Sequence, residues 1–426
     1  MFLTLEDPNA KIKGSRDSLG LQPIWARFAR HVVSNLTMQT TSVRGFTTLL
    51  LGRYFGARLI EEGRVPPEAA LDVFLRMEQL AAYARHVAHG VQGEIRGVER
   101  VRAHLQEQRG RVHIEADRRG YILGDQKVTG LWGLYSVAAR VSGWIDAGPV
   151  GIRPVARAFV EAHYLPRLEA VRAPLTQLLA RGGRLQARVG EPLIDAVASV
   201  LPNAFSAAEV AFYGEHLRDG LHVGGAAPGR QQRFRSLLEA ETDLDAPLDR
   251  AEALRLVEAA EPVDPDLSHR LRRIVALESA LAPADALFDF VLTRHGQTPA
   301  AIAQTLRAHW GAAVPNLDPG VFRALIPEVA EAATAEIAAE VDHCQGALAR
   351  GDYALAVRAV LAWNAAVMRE RSAGPWVVLD AGGRLDVRYR GAEQALPDAN
   401  ALSTLWRHPY FVDSLKRITR QLGSAA

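Results

Sequence analysis

Cysteine is nearly missing from this chain: Cys344 is the only one in 426 residues. No internal disulfide can form, and a zinc site built from several thiolates is excluded. Lysine is almost as scarce, with Lys11, Lys13, Lys127 and Lys416 the only four, so arginine supplies nearly all of the 50 basic residues. A coding bias toward alanine and arginine accounts for that preference without function. Arginine's planar fork also suits phosphate and carboxylate, which keeps nucleic acid in view. No apolar run approaches the roughly 18 residues of a membrane span, and Met1-Phe-Leu-Thr-Leu-Glu-Asp lacks the basic start of a signal peptide. The expectation is a cytoplasmic protein with no membrane partner. Gly-x-Ser-x-Gly, a Walker A loop, the Rossmann glycine fingerprint and His-Glu-x-x-His are all missing as well. That silence argues against the common hydrolases, ATPases and dehydrogenases. It leaves the expectation of a protein with no catalysis of its own and no cofactor.

What is present reads as mainly α. Trp25, Phe28, Ala29, Val32, Val33 and Leu36 recur at helical steps. Ser42 can cap a helix carrying Phe46, Leu49, Leu50, Tyr54 and Leu59, and Pro66-Pro67-Glu68 opens another through Leu80. A further helix is expected from about Glu94 to Gln108. Arg111-Val-His-Ile-Glu115 then alternates, Asp117-Arg-Arg-Gly120 makes a turn, and Tyr121-Ile-Leu returns, which predicts a short β-hairpin near 111–124. Helices beside such a hairpin are compatible with a winged-helix unit. Gly120, Gly124, Gly130, Gly133 and Gly143 alternate there with Tyr121, Trp132, Tyr135 and Trp144. This predicts backbone packed closely on rings, in a centre where two halves of the protein meet. Residues 153–350 read as helices separated at glycine and proline breaks, Pro283 among them, with Val321–Ala349 the longest. Pro375–Asp380, Ala-Gly-Gly383 and Arg384–Arg390 predict a second hairpin near 375–390, before a closing helix. The expected segments are 1–108, 109–152, 153–350 and 351–426.

Charge is uneven along this order. Residues 241–345 hold 18 acidic against 8 basic residues, whereas 1–126, 127–240 and 346–426 each carry a net +4. Arg384, Asp386, Arg388 and Arg390 fall on one side of a predicted strand opposite Leu385, Val387 and Tyr389. With Lys11, Lys13, Arg16, Arg118, Arg119, Arg407 and Lys416 the three arginines form the candidate nucleic-acid contacts. The wet side of a hairpin explains the row equally. Asp117, Asp125 and Lys127 resemble the two acids and lysine of metal-dependent nucleases, in which the acids bind Mg²⁺ and the lysine orients water. Too few strands are predicted to support that family's sheet. Thr293-Arg-His-Gly-Gln-Thr298 resembles the histidine-phosphatase signature, with His295 the residue phosphorylated and Arg294 holding phosphate, but it follows a helix and not a first strand. His86 with His89, and Glu340 with His343, have helical ligand spacing but lack the second ligand pair such sites need. No metal site is therefore assigned.

Three pieces, Lys11–Trp25, Gly130-Leu-Trp-Gly-Leu-Tyr135 and Leu405-Trp-Arg-His-Pro-Tyr-Phe411, resemble uncharacterised helical proteins of bacterial phage-defence gene clusters. The resemblance implies an accessory or sensor role among partner proteins and nucleic acid, without assigning functional residues. The sequence thus points to a DNA- or RNA-binding or scaffold subunit that joins a partner protein. The nuclease built on Asp117, Asp125 and Lys127 is the alternative. A scaffold contacting protein alone through the acidic 241–345 block is the third.

Overall fold

The computed structural model describes residues 17–90, 95–148, 150–224, 227–389 and 395–423. Helix accounts for 63% and strand for 4%, so the chain is mainly α with two small antiparallel sheets of two strands each. It divides into two compact units that cut across the four sequence segments. One comprises Val33–Pro247 and Phe411–Ala426, the other the chain up to Val32 with Leu248–Tyr410.

The first unit is built on the helices Val43–Glu61 and Ala70–His89, which pack on each other. Ser42 starts the first by accepting a hydrogen bond from the Gly45 amide at 3.2 Å, as its sequence suggested. Residues 43–57 are buried on every side, so this is a central helix and not an amphipathic one. Gly45 and Gly52 make close packing feasible. A Cβ at Gly45 would stand 2.7 Å from the Tyr135 ring, and one at Gly52 2.7 Å from the Phe74 ring. The glycine- and ring-rich stretch lies inside this unit. Trp144 is fully buried, with the Phe46, Phe212 and Tyr213 rings centred 5.2–5.6 Å away. Arg53 stacks its guanidinium 3.8 Å from the centre of the Trp132 ring. The stretch therefore packs rings on close backbone as predicted, but in the middle of one unit.

The predicted hairpin at 111–124 does not form. β1 (Arg111–Ile114) pairs antiparallel with β2 (Gly183–Gln186), which lies far along the chain, and 121–123 is not a strand. Gly182 and Gly183, both at positive φ, lead β2 into this register, and a Cβ on Gly182 would strike the Glu115 carboxylate. The winged-helix arrangement falls with the hairpin. Val112, Ile114 and Leu185 are buried on the inner face of the ribbon, and β1 packs on the helices Ala70–His89 and Val98–Glu107.

In the second unit, the 27-residue helix Pro265–Val291 runs straight through Pro283. The predicted break there and the predicted long helix Val321–Ala349 are both corrected. The latter is three helices, Pro319–Arg323, Ile326–Ala332 and Ala335–Arg350, split by Pro327 and by the Thr334 cap. Pro283 is tolerated because Gln345 donates to the Ser279 carbonyl (3.4 Å), which the proline leaves without its helical donor, and to the neighbouring Ala280 carbonyl (2.6 Å). Glu278, fully buried on the same helix, accepts from the Arg407 and His408 amides, from His408 Nδ1 and from the Tyr410 hydroxyl, at 2.5–3.1 Å. The Trp-Arg-His-Pro-Tyr run is thus a structural clasp. The C-terminal hairpin forms as predicted: β3 (Val377–Leu379) pairs with β4 (Leu385–Val387), and Gly383 supplies the positive φ of the turn.

Candidate nucleic-acid interface

Strand alternation puts Arg111, His113, Arg184 and Gln186 on the outer face of the β1–β2 ribbon, with Arg111 opposite Gln186 and His113 opposite Arg184. Glu115 continues the same alternation, and its carboxylate lies against Gly182 at one end of the ribbon. Arg118 and Arg181 lie just beyond that end, while Arg109 and Arg188 follow at the other. Arg109, Arg111, Arg118, Arg181, Arg184 and Arg188 are all exposed, and among the described residues none makes an ion pair. Exposed arginines elsewhere divide: Arg140, Arg255 and Arg358 likewise make no ion pair among the described residues, while others are paired. Arg27, Arg153, Arg272 and Arg369 each reach a carboxylate within 2.5–2.8 Å. Arg109 also holds a left-handed φ of 49°, a conformation glycine or asparagine adopts more cheaply. Its carbonyl accepts from Gln186 Nε2 at 3.2 Å, which fixes the strained turn to the ribbon.

The residues nominated from sequence fare unequally. Lys11, Lys13, Arg16 and Arg390 lie outside the described residues. Arg118 is exposed near the ribbon, and Arg119 is exposed but paired with Asp117 at 2.7 Å. Arg384 donates to the Gly296 carbonyl at 3.0 Å, and Arg388 lies 3.8 Å from Asp386. Arg407 is bound between Asp285 and Asp289 at 2.8 and 2.7 Å. Lys416 is 1% exposed and donates to the Asp243 and Ala246 carbonyls at 3.0 and 3.2 Å, so its ammonium serves the fold and faces no ligand. Burial and partners could not be read at these two positions from charge alone. Apart from Arg118, sequence reasoning missed the ribbon arginines, because the pairing of 111–114 with 183–186 leaves no local signal.

The nuclease residues have local duties. Asp117 holds Arg119, Asp125 caps the helix Gln126–Thr129 by accepting from the Val128 amide at 3.1 Å, and Lys127 is exposed. His295 Nδ1 accepts from the Val387 amide at 3.1 Å, while Arg294 covers the Phe290 ring at 4.0 Å. His89 Nε2 donates to the Ala198 carbonyl. His343 lies 3.5 Å from Glu340.

Among the described residues, one group of three side chains could hold a metal ion: Glu215, His216 and His222. It sits on the π-turn Gly214–Arg218 and the bend that follows it. Such turns leave carbonyls without helical donors. Here Asn35 Nδ2 donates to the His216 and Leu217 carbonyls at 2.7 and 3.1 Å, and Gln231 Nε2 to those of Leu217 and Arg218 at 2.8 and 3.2 Å. Burial pushes the His216 imidazole below its ordinary pKa, so it is neutral at neutral pH. No protein family, curated protein or solved structure matches this chain.

Proposed function

We propose that this protein binds double-stranded DNA through the outer face of the β1–β2 ribbon, without catalysing a reaction on it. The observation that carries the reading is the set of six exposed arginines, on and beside the outer face of the ribbon, that make no ion pair among the described residues. A two-stranded ribbon is narrow enough to enter the major groove of B-form DNA, whereas the deep, narrow major groove of A-form RNA excludes it. Four paired residues span about 13 Å, enough to follow the groove across several base pairs. Arg111 and Arg184 are placed to reach phosphates or guanine edges, and Arg109, Arg118, Arg181 and Arg188 to hold the backbone at either end. In keeping with the phage-defence resemblance, the role is that of an accessory or sensor subunit that presents DNA to a partner protein.

Fluorescence anisotropy of a labelled duplex, titrated at several salt concentrations, tests this. Each phosphate contact contributes about 0.9 to the slope of log affinity against log salt, so the Arg111→Ala/Arg184→Ala double variant should lower the slope by about 2. Arg384→Ala/Arg388→Ala should leave it unchanged. The reading fails if the parent does not bind duplex at low salt, or if the ribbon variant binds as the parent does. A slope lowered only by the second pair would move the interface to β4.

A further inference from the structure

We infer that Glu215, His216 and His222 form a binding site for one divalent transition-metal ion of the zinc type, independent of the DNA interface. One ligating atom from each lies within 4.8 Å of the others, and Glu215 Oε1 already meets His222 Nε2 at 2.5 Å. In an α-helix, neighbours 215 and 216 would point about 100° apart; the π-turn alters that spacing locally. The turn is itself held rigid. Asn35 is fully buried and Gln231 is 4% exposed, and both bind its carbonyls, while Gln231 Nε2 also donates to Asn35 Oδ1 at 3.0 Å.

The buried ligand is oriented as metal-bound histidines are. His216 Nδ1 lies 2.9 Å from the Ser142 carbonyl, an oxygen that can only accept, so Nδ1 carries the proton and Nε2 keeps its lone pair. The Trp144 and Phe212 rings, centred 5.4 and 4.8 Å from the imidazole, wall the inner side and keep it from water. His222 and Glu215 are 44% and 50% exposed, which gives an ion an entry path and leaves them free to adjust. Tetrahedral ligands at zinc distances stand about 3.3 Å apart, so His222 has to rotate from its present stacking on His216. A nitrogen–nitrogen–oxygen set matches zinc and its neighbours better than magnesium or calcium, which prefer oxygen alone. The ion would take the place of the proton between His222 and Glu215. It would tie the bend at 220–223 to the turn and leave a fourth position for water.

The test uses the full chain stripped with chelator and titrated with Zn²⁺ by calorimetry, and with Co²⁺ by visible absorption. One equivalent of Zn²⁺ should bind, Co²⁺ should give tetrahedral bands, and the melting temperature should rise with added Zn²⁺. His222→Ala and Glu215→Gln, both at exposed positions, should weaken binding by about tenfold or more. His343→Ala, on the separate Glu340–His343 pair, should bind as the parent does. The inference is overturned if the stripped parent takes up no Zn²⁺, or if His222→Ala and Glu215→Gln bind it as tightly as the parent.

Discussion

Replacing Glu78 by glutamine should remove a pH dependence that the fold imposes on its own stability. Glu78 is 3% exposed, on the central helix Ala70–His89. Burial raises its pKa from 4.5 to about 7, against the lowering effects of the Leu131 amide, Gln126 and Arg96. Those hydrogen bonds are short, 2.6 Å from Leu131 N and 2.9 Å from Gln126 Nε2, yet desolvation outweighs them. A pocket of about 30 Å³ beside it, bordered by Arg44, Arg85 and Arg96, has room for about one water. The folded state therefore keeps a proton that the unfolded chain releases near its ordinary value. Since the folded state binds more protons across that window, stability falls as pH rises from about 4.5 through about 7. A displacement of this size corresponds to about 3 kcal/mol, full below the window and lost above it.

Glutamine has nearly the same shape and cannot ionise, so the parent's stability minus that of Glu78→Gln should drop by about that amount between about pH 4.5 and pH 8. Urea unfolding of both proteins across this range measures the difference, and groups common to the two cancel. Carbon-13 NMR of the Glu78 carboxyl reads the titration directly. A difference constant with pH, or a carboxyl titrating near 4.5, would refute the argument that desolvation prevails at this position.

Two further substitutions probe the backbone. Gln345→Leu should destabilise by about 1–3 kcal/mol, because the Ser279 and Ala280 carbonyls beside Pro283 lose their buried donor. If chemical denaturation shows no loss, the account of how that helix accommodates proline is wrong. Gly351→Ala should cost roughly 3 kcal/mol or more, since φ is +69° and the new Cβ would lie 1.6 Å from the Ala312 carbonyl oxygen. Gly63→Ala, at φ +65° with nothing within 4 Å, should cost only about 1 kcal/mol. Equal melting temperatures for the two variants would remove the steric contribution.

What the sequence disclosed depended on how far each contact reaches along the chain. Helix starts were legible because caps act over three residues, as at Ser42 and at the Pro66-Pro67 opening before Ala70–His89. The C-terminal hairpin was legible for the same reason: an Ala-Gly-Gly turn joins its strands directly, and Leu385 and Val387 turn inward while Arg384 and Arg388 remain exposed. β1 had the right alternation but the wrong assumed partner. Local reasoning favoured the nearest alternating run, 121–123, whereas the fold places Gly183–Gln186 beside it. Pro283 misled in the opposite direction, because the residue that relieves it, Gln345, is 62 positions away and on another helix.

Both candidate sites belong to this non-local class. The ribbon arginines look ordinary in a chain so rich in arginine; only cross-strand register separates them from Arg407 and Lys416, whose charges bind the fold internally. The Glu215–His216–His222 group has no recognisable spacing, because His222 reaches the other two from the turn that follows the π-turn. The π-turn persists through Asn35 and Gln231, which approach from sequence distances of 181 and 14 residues. A composition dominated by alanine and arginine hides such sites. They are set by buried amides that fix the backbone, and neither asparagine nor glutamine carries a motif that would announce this role.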